Sequence, residues 1–197
     1  MTYLKTFLTG SAGLALAAML ACGGGGGGSS APAPTPPATS LSYTDPTSGS
    51  YLLKKNPALS TATHLVLDLV GPTSGTGSGI TATFSGDAAR VAWVNVSAAD
   101  PAGTFVQNGM AFNLGTAPLI LHGKASGGTL QVTAAQKGAG SPVSLGATLL
   151  RVALDLKASQ PPGAVAFSAD ATKCQVLDGT GTIVSPILIS VGTLATQ

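Results

Sequence analysis

From Leu41 onward, apolar residues come in short runs that alternate with polar ones and break at Gly, Pro, Asp and Ser. Side chains on a strand alternate between two faces, so such runs predict half-buried strands rather than helices. The clearest is His64–Val70, HLVLDLV, with Leu65, Leu67 and Leu69 on one face and Val66, Asp68 and Val70 on the other. Thr129–Ala135 sets Leu130, Val132 and Ala134 against polar partners, and Thr148–Leu156 sets Leu150, Val152, Leu154 and Leu156 against Leu149, Arg151, Ala153 and Asp155. Further strands are predicted at Tyr51–Leu53, Ile80–Phe84, Val91–Val96, Met110–Leu114, Pro118–His122, Val165–Phe167, Lys173–Leu177 and Ile187–Val191. Turns are predicted at Asp45–Gly49, Asp100–Gly103 and Asp178–Gly179, and a loop at Gly71–Gly79. About nine to eleven short, evenly spaced strands and no amphipathic helix predict an all-β chain folded as a two-sheet jelly-roll sandwich.

The first forty residues follow another pattern. Lys5 and the terminal amine precede an apolar stretch, Phe7–Leu20, and a small residue, Ala21, stands before Cys22. That order predicts a secretory signal over residues 1–21, too short and too interrupted by Gly10, Ser11 and Gly13 for a spanning helix. Residues 22–42 open with Cys22 and six glycines and continue as SSAPAPTPPATSLS, a linker that is a flexible coil at first and stiffer where proline dominates. Residues 43–197 remain as one domain of about 155 residues, large enough to bury its own core.

Met19-Leu20-Ala21-Cys22 resembles the lipobox of bacterial lipoproteins, although Leu usually sits three before the cysteine and a small residue two before. The resemblance implies that Cys22 is the lipidation site, acylated after cleavage, and that membrane lipid is one partner. Several acyl chains then anchor firmly, because each buried methylene contributes about 0.8 kcal/mol and one chain alone holds only marginally. An ordinary signal cut after Ala17 is the alternative. Gly23 stands where Asp would mark inner-membrane retention in many such proteins, which implies export to the outer membrane.

Charge is scarce, at 8% of residues with no glutamate, and the net charge is +2. Apart from Lys54-Lys55 the cations lie singly, so no basic patch is expected to neutralise a phosphate backbone, and nucleic acid is not expected as a partner. If Cys22 is acylated, Cys174 has no partner in the chain. It falls on the more apolar face of its strand and reads as a buried small hydrophobe.

Chemistry finds little to work with. A Ser-His-Asp set from a serine, His64 or His122, and Asp68 lacks the G-x-S-x-G elbow, and no His/Cys grouping has zinc spacing. Gly75, Gly77 and Gly79 precede no helix, so they cradle no phosphate. Asp170 and Asp178 flank the Cys174 strand and might together hold calcium, but Asp is favoured in turns for its own sake. No catalytic residue, metal site or cofactor is therefore expected; an enzyme would have to show a cleft with His64 or His122 beside an aspartate. Sugar binding would need exposed aromatic platforms. Trp93 shares a face with Val91 and Asn95, and is exposed if Ala92, Val94 and Val96 make the core face. Trp93 and Tyr51 are the candidate ligand-binding residues.

The order of segments, HLVLDLV, a Gly-containing loop, GITATF, VAWVNV, and later TLLRVALDL, VAFS, CQVLDGTGT and ILISV, resembles the cohesin-like sandwich over about residues 60–192. In that family a penultimate strand ends in an Asp-Gly turn; one sheet face of a cohesin binds a dockerin, and the related fold serves carbohydrate-binding modules. The resemblance implies a lipid-anchored envelope module that recognises a protein module or polysaccharide. The alternatives are a structural envelope lipoprotein and, remotely, a hydrolase.

Overall fold

The computed structural model describes residues 34–115, 120–137 and 140–197, and Thr35–Gln197 forms a unit of its own. The predicted signal and Cys22 lie outside the described residues. The chain is all-β. In order, the strands are β1 (Leu41–Thr44), β2 (Tyr51–Lys55), β3 (His64–Val70), β4 (Thr76–Gly86), β5 (Val91–Val94), β6 (Gln107–Asn108), β7 (Leu121–Ser126) and β8 (Thr129–Ala135). They continue with β9 (Val143–Ser144), β10 (Thr148–Leu156), β11 (Gly163–Val165), β12 (Phe167–Ala169), β13 (Gln175–Asp178), β14 (Ile183–Val184), β15 (Ile189–Ser190) and β16 (Thr193–Thr196). A 3-10 turn, Ala171–Lys173, stands between β12 and β13.

Two sheets face each other across the core. One runs β15-β2-β3-β10-β5, with β6 also on β10; the other runs β14-β13-β4-β8-β7, with β9 and β12 also on β4. A ribbon of β1, β16 and β11 closes one side. Leu65, Leu67 and Leu69 of β3, Ile80, Ala82 and Phe84 of β4, Leu130, Val132 and Ala134 of β8, and Val152 and Leu154 of β10 fill the space between the sheets. This is the jelly-roll sandwich that the period-two pattern predicts, each sheet burying the face its alternation marks.

The differences have local causes. β4 begins at Thr76, inside the predicted loop. Gly77 and Gly79 are strand positions under close neighbours: a Cβ on Gly79 would stand 2.6 Å from the Ala135 Cβ, and one on Gly77 2.7 Å from the Leu177 carbonyl oxygen. Met110–Leu114 forms no strand. Met110 is exposed, while Phe112 and Leu114 reach the core from an irregular segment tied by its amides to the Thr148 and Leu149 carbonyls. Of the predicted strand Pro118–His122, residues 118 and 119 lie outside the described set, and strand pairing covers Leu121–Ser126. Val165–Phe167 divides at Ala166, with β11 on β16 and β12 on β4, so one apolar run serves two sheets. Strand pairing begins only at Gln175, because the 3-10 turn occupies Lys173. β16 follows Ile189–Ser190 and pairs with β1 from Leu41↔Thr196 to Thr44↔Thr193, a pairing that the polar TLAT pattern conceals.

Candidate functional site

The outer faces of the two sheets differ. On the β14-β13-β4-β8-β7 sheet, register places Thr81 opposite both Thr133 and Gln175, and Gly79 opposite both Ala135 and Leu177, with Leu177 opposite Ile183. Paired residues share a face, so these side chains project outward together. Because Gly79 has no side chain, a groove of ≈ 130 Å³ opens there, lined by Ile80, Thr81, Thr133, Ala135, Leu177 and Ile183 among others. The Thr81 and Thr133 hydroxyls bond each other at 3.0 Å. Ile183 is 61% exposed and Val184 beside it is exposed too. The groove lining carries no charge; on the neighbouring strand β7, register sets His122 opposite Thr133 and Lys124 opposite Gln131.

The β15-β2-β3-β10-β5 sheet presents charged pairs instead. Arg151 Nε donates to Asp68 Oδ1 at 2.9 Å, and the Asn56 amide donates to Asp68 Oδ2 at 3.0 Å. His64 Nδ1 lies 2.6 Å from Asp155 Oδ1, and its Nε2 lies 3.1 Å from the Val96 carbonyl oxygen. His64 and Asp155 border a concavity of ≈ 400 Å³ lined also by Val94, Asn95, Val96, Ser97 and Ala98. A histidine does lie beside an aspartate at a cleft, but the aspartate is Asp155, not Asp68. Both imidazole nitrogens face oxygens that only accept, and among the described residues no nucleophile stands within hydrogen-bond reach of either. Among the described residues, no hydroxyl or thiol hydrogen-bonds the ring. His122 is exposed on β7.

Neither aromatic candidate is a platform. Trp93 is 7% exposed: Val91 and Trp93 make the core face of β5, the reverse of the face assignment that would expose it. Its ring packs between Phe84 and Phe167, with centroids at 6.2 and 6.1 Å, and its Nε1–H donates to the Gly128 carbonyl at 2.8 Å. Tyr51 is 9% exposed in the main core, and burial raises its phenol's pKa. Cys174 is fully buried, and burial pushes its thiol up, away from the reactive thiolate.

Asp170 and Asp178 are occupied by their own turns. Asp170 Oδ1 accepts from the Thr172 hydroxyl and amide, and Oδ2 pairs with Lys173 Nζ at 3.0 Å. The Thr172 hydroxyl first, then Lys173, holds its carboxyl below the usual range. Asp178 Oδ1 accepts from the Thr182 and Thr180 amides and the Thr180 hydroxyl, and the Thr182 amide is the main cause of its lowered pKa. Among the described residues, no three His, Cys, Asp or Glu side chains are grouped to hold a metal ion.

No protein-family model matches the chain, and no curated protein matches it. Solved structures do match. A type II cohesin domain from the cellulosome of Acetivibrio cellulolyticus aligns with a TM-score of 0.52 at 14% identity, over 74% of this chain and 95% of that one. The second type II cohesin module of the adaptor scaffoldin ScaA from the same organism aligns with a TM-score of 0.50 at 11% identity, over 71% and 91%. At these identities the likeness is one of fold: the chain folds as a cohesin-like β-sandwich.

Proposed function

We propose that this chain is a non-catalytic recognition module, exported and anchored to the envelope by lipid on Cys22, that binds another protein through the outer face of the β14-β13-β4-β8-β7 sheet. The observation that carries the reading is the uncharged groove at Gly79, flanked by the exposed Ile183. A rigid sheet with an apolar notch and a threonine rim provides an anchor pocket and hydrogen-bonding partners around it, the usual anatomy of a protein interface. The resemblance to cohesins supports a protein partner over a glycan, as does the burial of Trp93 and Tyr51.

The test compares wild type with Ile183→Asp and Thr133→Arg, which place a charge at the groove, and with Lys54→Ala on the other sheet as control. Proteins captured from the envelope and secreted fractions are identified, purified and titrated directly, alongside soluble polysaccharides. A partner whose affinity falls at least tenfold in the two groove variants and holds in Lys54→Ala supports the assignment. Binding indifferent to the groove variants, or binding of polysaccharide alone, overturns it.

A further inference from the structure

The opposite sheet carries a second arrangement that recognition through the Gly79 groove does not use. Val66, Val96 and Ala153 form a small apolar cluster with Val94, separate from the main core, on the outer face of β3, β10 and β5. The segment that follows β5 supplies its roof, since Val96 folds back over Val66 and Ala153. Beyond Val96 the chain turns tightly, with the Ser97 amide on Asp100 Oδ2 at 2.8 Å and the Asp100 amide on the Ser97 carbonyl. Asn95 ties the same segment down through the carbonyls of Asp100 and Pro101 and the amide of Phe105.

One side chain of the sheet reaches this roof from β3. His64 spans from Asp155 Oδ1 at 2.6 Å to the Val96 carbonyl at 3.1 Å. Both partners are acceptors, and a neutral imidazole has one N–H. With one proton the ring serves only one oxygen, and its bare nitrogen then points a lone pair at the other. Both contacts are hydrogen bonds together only when the ring carries two protons. The carboxylate is the stronger acceptor, so on deprotonation the ring keeps Asp155 and releases Val96.

We infer that His64 is a proton-operated latch on the Asn95–Asp100 segment. The imidazolium clasps the Val96 carbonyl and holds the roof on the Val66 cluster; the neutral ring lets it lift and widens the cleft beside it. Asp155 on β10 is the charged group in contact with the ring. The lining from β5 and the roof, Val94 to Ala98, is uncharged. Further along the same strands Asp68 is held by Arg151 and Asn56. Asp100 is held by Ser97 and Gln107, and the Lys157 Nζ by the Ala88 carbonyl. The latch is therefore closed on the acid side of the ring's titration and open on the alkaline side.

The experiment follows the ring nitrogens of His64 by NMR between about pH 5 and 8, where histidine is the side chain that ordinarily titrates. On the same samples it reads amide exchange at Ser97 and Asp100, corrected for intrinsic exchange. Protection at both amides should fall about tenfold with the midpoint of the His64 ring, the size expected for loss of one hydrogen bond to a charged donor. His64→Gln, which has no proton to lose, should show no such step, whereas His122→Gln should keep it. Protection that stays flat while the His64 ring titrates overturns the latch. So does an equal step in His64→Gln.

Discussion

Tyr43 shows how one side chain ties separate parts of the chain together. Its ring lies in the main core, its O–H donates to the Leu53 carbonyl at 2.8 Å, and its oxygen accepts from the Gly192 amide at 2.6 Å. Burial, more than the nearby Asp45, pushes the phenol from 10.0 up to about 12. Above pH 10 the unfolded chain loses this proton first, while the native state keeps it to about pH 12, so stability falls across that window. Tyr43→Phe should lower stability at neutral pH by about 1–2 kcal/mol through its two lost hydrogen bonds, and should flatten the alkaline fall. Denaturant midpoints of the two proteins at pH 7, 10 and 11.5 check both effects. A residual slope belongs to Tyr51, which burial shifts the same way. Trp93 marks the limit of legibility at this scale. Both faces of VAWVNV are apolar enough to be buried, and Val96 does find a second small cluster, so alternation alone does not say which face takes the main core.

Between elements, the pairing of β3 with β10 was half written in the sequence. His64 and Asp68 stand four apart, as do Arg151 and Asp155, and antiparallel register sets His64 opposite Asp155 and Asp68 opposite Arg151. The two most strongly apolar strands thus carry matched polar positions, a signal that pairing them would have exposed. The start of β4 reads as loop in the sequence because glycines announce one when taken alone. In the sheet they are where a neighbour comes too close for a side chain. That gives a sharp test. Gly79→Ala should cost about 1–3 kcal/mol, since its new methyl meets the Ala135 Cβ at 2.6 Å. Adding Ala135→Gly should recover part of that loss. A double-mutant cycle by chemical denaturation measures the coupling; additive losses would show that the contact is not what the glycine serves.

At the scale of the whole molecule, strand alternation carried the fold because almost every run buries one face against the other sheet. Function was less legible, because the proposed recognition surface is made of residues with no chemistry of their own: Thr81, Thr133, Gly79 and Ile183 come together only when three strands, β4, β8 and β14, are placed in one sheet. The proposed anchor is the opposite case, since the motif that suggests it lies in the linear order around Cys22. Metabolic acyl labelling of cells expressing the wild type and Cys22→Ser should label the wild type alone, and external protease should then release the domain if it faces outward. Absence of label from both would leave an exported, unanchored sandwich.

The pairing of β1 with β16 has a mechanical consequence. Chain arriving from the linker enters the sandwich at Ala38–Leu41, where the Ala38 amide bonds the Gln160 carbonyl and the Thr39 and Ser40 amides both bond the Gln197 carbonyl. Tension drawn through the linker is met first by these bonds and then by the β1–β16 rungs, before any of it reaches the β14-β13-β4-β8-β7 sheet. β16 thus acts as a strain relief for β1, isolating the proposed binding face from any pull transmitted along the linker.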